Sequence, residues 1–160
     1  MIVSASTDLP IKELFGKPCC RQRVGRGRSL SIGFGARIAT SGVKSGEPFY
    51  GEWEIGTYSA AWRIVRGGAV VCGSSDAVDS IGDLDRQLQA VILGAPVSIE
   101  ASSQIDVRVE LDNGTTIDFF GATSDGDEIF HIFGPQKLYI EYTPDGDWKV
   151  GSSNVPWNDK

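Results

Sequence analysis

The stretch IDVRVELDNGTTIDFF, residues 105–120, decides the fold class. Apolar and polar side chains alternate along both of its halves, which is the pattern of a β-strand with one buried face. Asn113-Gly114 lies between the halves and favours a tight hairpin turn in which both central residues have positive φ. The segment therefore predicts an antiparallel hairpin, and SLSIGF at 29–34 carries a weaker form of the same pattern.

The neighbouring sequence indicates an internal repeat. Several segments of the first half have counterparts about 78 residues later, with a slip of one residue between the blocks. Matches at one separation in several blocks favour a duplication, and this one is too short for an open solenoid. The paired segments are FGKP (15–18) with LGAP (93–96), SLSIGF (29–34) with DVRVEL (106–111), and IGTYSAAWRIVRGGAVVCGSS (55–75) with FGPQKLYIEYTPDGDWKVGSS (133–153).

Each repeat is predicted to begin with a short helix and to continue as β-hairpins. In LDRQLQAVIL (84–93) the apolar residues share one helical face, and Asp83 is the predicted N-cap. Thr7 or Asp8 is the predicted cap of LPIKELF (9–15). We therefore expect an α+β fold, mainly antiparallel β, with two tandem repeats packed as a sandwich or a partly closed pseudo-two-fold barrel. Residues 1–160 form a single domain in this prediction, with repeats 1–80 and 81–160.

Charge is distributed unevenly along the 160 residues, whose net charge is −6. Residues 1–80 carry a net +3 and residues 81–160 a net −9. The acidic half disfavours nucleic acid as a partner, because phosphate binding needs lysine and arginine. No segment approaches 18 consecutive apolar residues, so no membrane span is predicted. Three cysteines without a Cys-x-x-Cys pair, and an N-terminus unlike a signal peptide, predict a cytoplasmic protein.

The stretch VRGGAVVCGSS (65–75) resembles a catalytic turn in which glycines flank a nucleophile, with Cys72 and Ser74 as the candidate nucleophiles. Cys72 or Ser74 would need a base, and His131 is the only histidine of the chain. VCGSSDA lacks the second glycine of a Gly-x-Ser-x-Gly elbow, and Gly-Ser-Ser recurs at 151–153. We therefore interpret the motif as the end of a hairpin and His131 as a packing residue, and expect no catalytic, cofactor or metal site.

The acidic residues of two predicted turns are candidates for binding a basic protein partner. An acidic surface speeds association with a basic partner, although solvated turns would carry the same residues. An alternative is a small-molecule or carbohydrate site that uses Trp53 and Tyr58, whereas Trp62 and Trp148 are predicted core residues. Arginines at 21, 23, 26 and 28 favour an edge strand protected by charge over RNA binding. The candidate partner-binding residues are Asp125, Asp127, Glu128, Asp145 and Asp147.

A further pattern extends over roughly residues 50–121. It consists of Tyr58, Trp62-Arg63-Ile64, Gly68, Val70-Val71, Gly73-Ser74, Asp76, Leu93-Gly94 and Asp112-Asn113-Gly114. This pattern resembles a family of uncharacterised bacterial proteins of immunity or accessory type. The resemblance implies a small protein encoded near a toxin system and brings no known active-site residues. We therefore expect a non-enzymatic cytosolic immunity protein that neutralises a basic toxin domain by direct binding, with a ligand-binding β module, or a hydrolase using Cys72 or Ser74 with His131, as alternatives.

Overall fold

Two antiparallel β-sheets and an α-helix make up the fold in the computed structural model, which describes residues 1–3, 5–40 and 48–153. This confirms the predicted α+β class with mainly antiparallel strands. The strands are β1 (Ile2–Val3), β2 (Cys19–Val24), β3 (Leu30–Ala39), β4 (Phe49–Thr57), β5 (Ala61–Arg66), β6 (Ala69–Gly73), β7 (Pro96–Ala101), β8 (Val107–Leu111), β9 (Thr116–Phe120), β10 (Phe130–Gly134), β11 (Leu138–Tyr142) and β12 (Trp148–Ser152), and the helix is α1 (Ile81–Gln89).

The strands are ordered β1-β12-β11-β10-β4-β3-β2 in a seven-stranded sheet and β6-β5-β9-β8-β7 in a five-stranded sheet. Both sheets contribute to one hydrophobic core. The rings of Phe119 on β9 and Phe130 on β10 are 4.8 Å apart and connect the two sheets. Trp62 and Trp148 are both 2% exposed, which confirms that they are core residues.

The predicted hairpins form, and their turns follow the local chemistry. Gly67 and Gly68, with φ of 59° and 77°, make the two-residue turn between β5 and β6. The turn at Asn113-Gly114 differs from the prediction, because only Gly114 of the pair has positive φ (82°). Leu111 N–H donates to the Thr115 carbonyl at 2.9 Å, which gives a longer loop with glycine in the left-handed position.

The predicted helices are only partly correct. Helix α1 begins three residues before the expected position, because the Ser80 hydroxyl and not Asp83 caps it, accepting from the Asp83 N–H at 3.1 Å. Leu84 and Leu88 are buried as predicted, but the helix ends at Gln89 and Ile92 is 71% exposed. The expected helix over 9–15 is wrong: the region contains short 3-10 turns at Ser6–Asp8 and Lys12–Leu14.

Helix α1 covers the open edge of the seven-stranded sheet at β2. The Gln22 amide donates to the carbonyl oxygens of Leu88 and Val91 at 2.7 and 2.8 Å. The Val24 N–H donates to Asp85 at 2.8 Å. These bonds satisfy backbone and side-chain groups that an uncovered edge strand would expose.

The β2–β3 and β7–β8 hairpins share one geometry at a separation of 77 residues. Cys19 pairs with Phe34 and Pro96 with Leu111, and both hairpins have a register shift at the next position. Arg28 and Ile105, which are 77 residues apart, have φ of 60° and 61°. The loops also match, since Gly25 N–H donates to the Ser29 carbonyl and Ser102 N–H to the Asp106 carbonyl.

In the second half of the repeat, the strands that the sequence alignment pairs do not occupy equivalent positions in the two sheets. The alignment of 55–75 with 133–153 places β5 and β6 over β11 and β12. In the sheets, however, β5 lies beside β9 as β10 lies beside β4, so the positions of β5 and β6 correspond to those of β10 and β11. The two Gly-Ser-Ser segments therefore end strands in different sheet positions. Within the described residues, no helix has the length and apolar character needed to span a membrane.

Candidate functional site

A cleft of about 770 Å³ lies on the outer face of the seven-stranded sheet. Ile32, Ile55 and Ile132 point into the core, so the residues that alternate with them along β3, β4 and β10 face outward. Pockets of about 300–1,000 Å³ are typical of small-molecule sites. The lining of the cleft includes Ser31, Tyr50, Glu54, Tyr58, His131 and Phe133.

Glu54, which lines the cleft, belongs to a largely buried ion pair. Arg21 Nη1 lies 2.6 Å from Glu54 Oε1 and donates to the Ser31 hydroxyl at 2.8 Å. The side chains of Arg21 and Glu54 are only 15% and 12% exposed. Gly33 lies on the same face, and a Cβ there would contact the Glu54 carboxylate. The absence of a side chain at Gly33 therefore leaves room for the Glu54 carboxylate.

His131 is held in place by Glu128. His131 Nδ1 lies 3.1 Å from Glu128 Oε1, and the two side chains are each 6% exposed. The same carboxylate oxygen accepts the Tyr58 N–H at 3.0 Å. Nδ1 faces this carboxylate, so Nε2 is the ring nitrogen left for a further hydrogen bond. Nε2 has no hydrogen-bond partner among the described residues, and His131 lines the cleft.

Aromatic rings surround His131. The Tyr58 ring centroid is 4.6 Å and the Phe133 centroid 5.1 Å from that of His131. Phe133 in turn stacks on Tyr139 at 4.7 Å. Tyr58 is 58% exposed, and burial of part of its ring, followed by the charge of Glu128, raises the pKa of its phenol. The cleft therefore presents an accessible ring above a buried histidine.

The rim of the cleft contains strained backbone. Gln136 and Lys137 follow β10 and have φ of 59° and 63°. Such conformations are costly for residues with a Cβ and concentrate at functional sites. The Lys137 carbonyl accepts the Ser153 N–H at 2.8 Å, which ties this rim to the end of β12.

The structure separates the five predicted partner-binding residues. Asp125, Asp127 and Asp145 are exposed and Asp147 is half-buried. The 121–128 loop and the 143–147 turn leave the same end of the β10–β11 pair, since Ile129 N–H donates to the Tyr142 carbonyl at 2.8 Å. Glu128 does not belong to that surface, because it is 8% exposed and binds His131.

The nucleophile and base of the hydrolase alternative lie on different sheets. Cys72 is buried in the core on β6, and its burial raises the pKa of the thiol to about 11. The Ser74 hydroxyl accepts the Trp62 N–H at 2.9 Å and donates to the Trp62 carbonyl at 3.2 Å, so it closes the β5–β6 hairpin. His131 lies on the outer face of the other sheet. Cys72 thus packs in the core, and Ser74 bonds to the backbone of Trp62.

Two of the four arginines that were predicted to protect an edge strand make contacts within the fold. Strand β2 is an edge strand of its sheet, as expected. Arg21 is half-buried with Glu54, however, and Arg28 donates to the carbonyl oxygens of Ser74 and Asp76 at 2.6 and 2.9 Å. Arg28 thereby joins the β2–β3 loop to the end of β6.

A second polar group lies on the outer face of the five-stranded sheet. Arg63 Nε and Arg108 Nε lie 2.8 and 2.7 Å from the two oxygens of Asp118. Burial alone would raise the pKa of the Asp118 carboxyl, but the hydrogen bonds and charges of Arg108 and Arg63 outweigh it and hold this pKa below its ordinary value. Asp118 thus forms ion pairs with both arginines, and the group of three keeps a net charge of +1.

No group of three or more His, Cys, Asp or Glu side chains in the described ranges is arranged to hold a metal ion. Comparison with protein families, curated proteins and solved structures found no match to this chain. The cleft is therefore interpreted from its own geometry. Sequence reasoning identified Tyr58 and considered His131, but it did not place Glu54 or Glu128 beside them, because their contacts depend on strand register.

Proposed function

We propose that the protein is a non-enzymatic binding protein that takes a small-molecule ligand in the cleft on the seven-stranded sheet. The observation that carries this proposal is the combination of a concave site of about 770 Å³ with an accessible Tyr58 ring and a buried His131. Mostly preformed pockets with a few fixed polar groups are the usual form of such sites. The sequence alternative included Trp53, but that residue is 4% exposed and packs in the core.

The test is a small-molecule library observed by NMR on the full-length chain. We expect at least one compound to shift the resonances of Tyr58, His131 and Phe133 in a saturable manner. A bound compound should also raise the melting temperature, because a ligand that binds the folded state stabilises it. A library without any compound that shifts the cleft resonances would refute the proposal.

A second candidate is the immunity protein that the sequence suggested, which would neutralise a toxin domain by direct binding. The exposed carboxylates of Asp125, Asp127 and Asp145 support it, because their two segments leave the same end of the sheet. Exposed charges of one sign accelerate association with a basic partner in a salt-dependent way. The cytoplasm, where such a protein would protect the cell, is the compartment proposed for it.

The immunity candidate is tested by growth rescue and co-purification with the product of a neighbouring toxin gene. Charge reversal at Asp125, Asp127 and Asp145 should slow association at low salt, whereas Asp83→Lys on helix α1 is a control outside the acidic surface. Neither rescue nor a complex at low salt would exclude this candidate.

We also propose that residues 1–80 and 81–160 derive from one duplicated unit within a single domain. The matching register shifts, left-handed residues and loop hydrogen bonds of the β2–β3 and β7–β8 hairpins support it. Bulges of this kind are retained within families. Replacing the loop 102–106 by the sequence of 25–29 should therefore preserve cooperative unfolding. A variant that no longer unfolds cooperatively would contradict the duplication.

A further inference from the structure

The two glutamates that line the cleft are already paired with cations, which restricts its ligand; this inference rests on the proposed small-molecule function. Glu54 lies 2.6 Å from Arg21, and Glu52 lies 3.4 Å from Lys17. A ligand cation would compete with these arginine and lysine side chains. A ligand anion would meet the two glutamates, and the only further cation in the described lining, Lys137, is exposed to solvent at the rim. A neutral ligand avoids both costs, because desolvating an unpaired charge is expensive.

The polar groups of the cleft suit hydroxyls. Carboxylates accept hydrogen bonds, the His131 Nε2 can form one more, and the Ser31 hydroxyl both donates and accepts. A ligand hydroxyl also donates and accepts, so it can bind a paired carboxylate without displacing the cation. Glu128 contacts the other ring nitrogen, Nδ1, and so holds the orientation of His131 in the lining of the cleft.

The accessible rings of the cleft suit a ligand with a flat apolar face. Tyr58 is 58% and Tyr50 is 45% exposed, and both line the cleft. Exposed tyrosines supply a large apolar surface with a polar end, and they lose little conformational entropy on binding. Hydroxyls along the edge of a ring, with C–H groups on its face, are the chemistry of a pyranose sugar.

We propose that the cleft binds a neutral mono- or disaccharide that packs against Tyr58 and hydrogen-bonds to Ser31, Glu54 and His131. Tyr58 supplies the platform, and Glu128 is a positioning residue that acts through His131. The volume of about 770 Å³ accommodates a ligand of this size.

The experiment is calorimetric titration of the full chain with glucose, galactose, mannose, N-acetylglucosamine, maltose and cellobiose. Choline, arginine and citrate form the charged comparison group. We expect at least one sugar to bind, with shifts of the Tyr58 and Phe133 resonances, and no binding of the charged compounds. Tyr58→Ala should weaken sugar binding about tenfold through loss of the ring contact, while Tyr58→Phe should retain it within about threefold.

Control variants separate the site from the rest of the surface. Phe15→Ala removes an exposed ring that does not line the cleft and should leave sugar binding unchanged. Glu54→Gln should weaken binding, whereas Glu110→Gln on the other sheet should not. Sugar binding that survives Tyr58→Ala would overturn the proposal.

The outcome also distinguishes the saccharide proposal from the proposed function. Binding of choline, arginine or citrate in the cleft, without binding of any sugar, overturns the saccharide assignment and leaves the small-molecule function intact. Failure of all these compounds and of the NMR library overturns both.

Discussion

The outer faces of the two sheets carry different chemistry at corresponding positions. In the five-stranded sheet, Arg108, Asp118 and Arg63 are adjacent across three strands. In the seven-stranded sheet the corresponding row is Ser31, Gly56 and His131. The first row is closed by two ion pairs, whereas the second lies in the cleft region.

The comparison depends on register. Inner-face residues in the two sheets form matching rows, with Ile32, Ile55 and Ile132 in one and Val109, Ile117 and Ile64 in the other. These rows fill one core and are alike because burial demands apolar side chains. The outer rows do not face the core, so their side chains need not be apolar, and the two rows differ. Similar strand pairing thus carries an ion triad on the outer face of one sheet and a cleft on the outer face of the other.

Gly56 lies in the outer row of the seven-stranded sheet, and its substitution is expected to cause the largest loss of stability among the variants that test this comparison. A Cβ at this position would lie within contact distance of the Leu30 carbonyl, which is backbone and cannot rotate away. Gly56→Ala should therefore lower the free energy of unfolding by about 3 kcal/mol, measured by urea denaturation.

The control for Gly56 is Gly126→Ala, since a Cβ there meets no atom within 4 Å. The midpoint of urea unfolding of Gly126→Ala should equal that of the wild type. Equal stability of the two variants would show that close approach of β3 and β4 does not require glycine at position 56.

The next effect is expected at Glu128, which supports the histidine of the cleft row. Glu128→Ala leaves the His131 Nδ1–H and the Tyr58 N–H without their acceptor. Unpaired buried donors cost about 1–3 kcal/mol, so we expect a loss of about 2 kcal/mol and altered His131 ring ¹⁵N shifts.

Asp127→Ala is the matched control, because Asp127 is the adjacent acidic residue and is exposed. It should leave both the stability and the His131 shifts unchanged. An identical response of the two variants would remove the distinction between the buried carboxylate and the acidic surface.

A smaller effect is expected at Asp118 in the ion triad. Asp118→Asn removes the charge that pairs Arg63 and Arg108, whose side chains are 43% and 53% exposed. Because solvent screens the arginines, we expect a loss of about 1 kcal/mol at pH 7 and less at high salt. A salt-independent loss would contradict the electrostatic role of the triad.

The Asp118 effect should also depend on pH with a definite sign. The pKa of Asp118 is lowered in the folded protein, so its ionised form stabilises the fold at pH values above the unfolded pKa of about 3.9. This stabilisation is lost as the pH falls through the lower folded pKa. The stability difference between wild type and Asp118→Asn should therefore shrink during acid titration, and a difference that grows would exclude this account.

Local patterns in the sequence predicted the local structure better than they predicted the cleft. The 105–120 alternation gave two strands, because side-chain burial repeats every two residues. The helix over 9–15 failed, since 3-10 turns replaced it where Leu14 packs in the core. The cleft joins β3, β4 and β10, and the meeting of Glu54 with Arg21, 33 residues apart, depends on register that no local pattern carries.

The smallest effect concerns Cys72, which lies opposite Ile64 in the five-stranded sheet as Ile140 lies opposite Ile132 in the other. Cys72 is fully buried, and burial raises the pKa of its thiol to about 11. Because the thiolate is the reactive form, iodoacetamide at pH 8 should leave Cys72 unmodified in the native protein and modify it in urea, as measured by peptide mass spectrometry. Rapid native modification, compared with a Cys72→Ala variant, would show that this core position is open and would return Cys72 to consideration as a nucleophile.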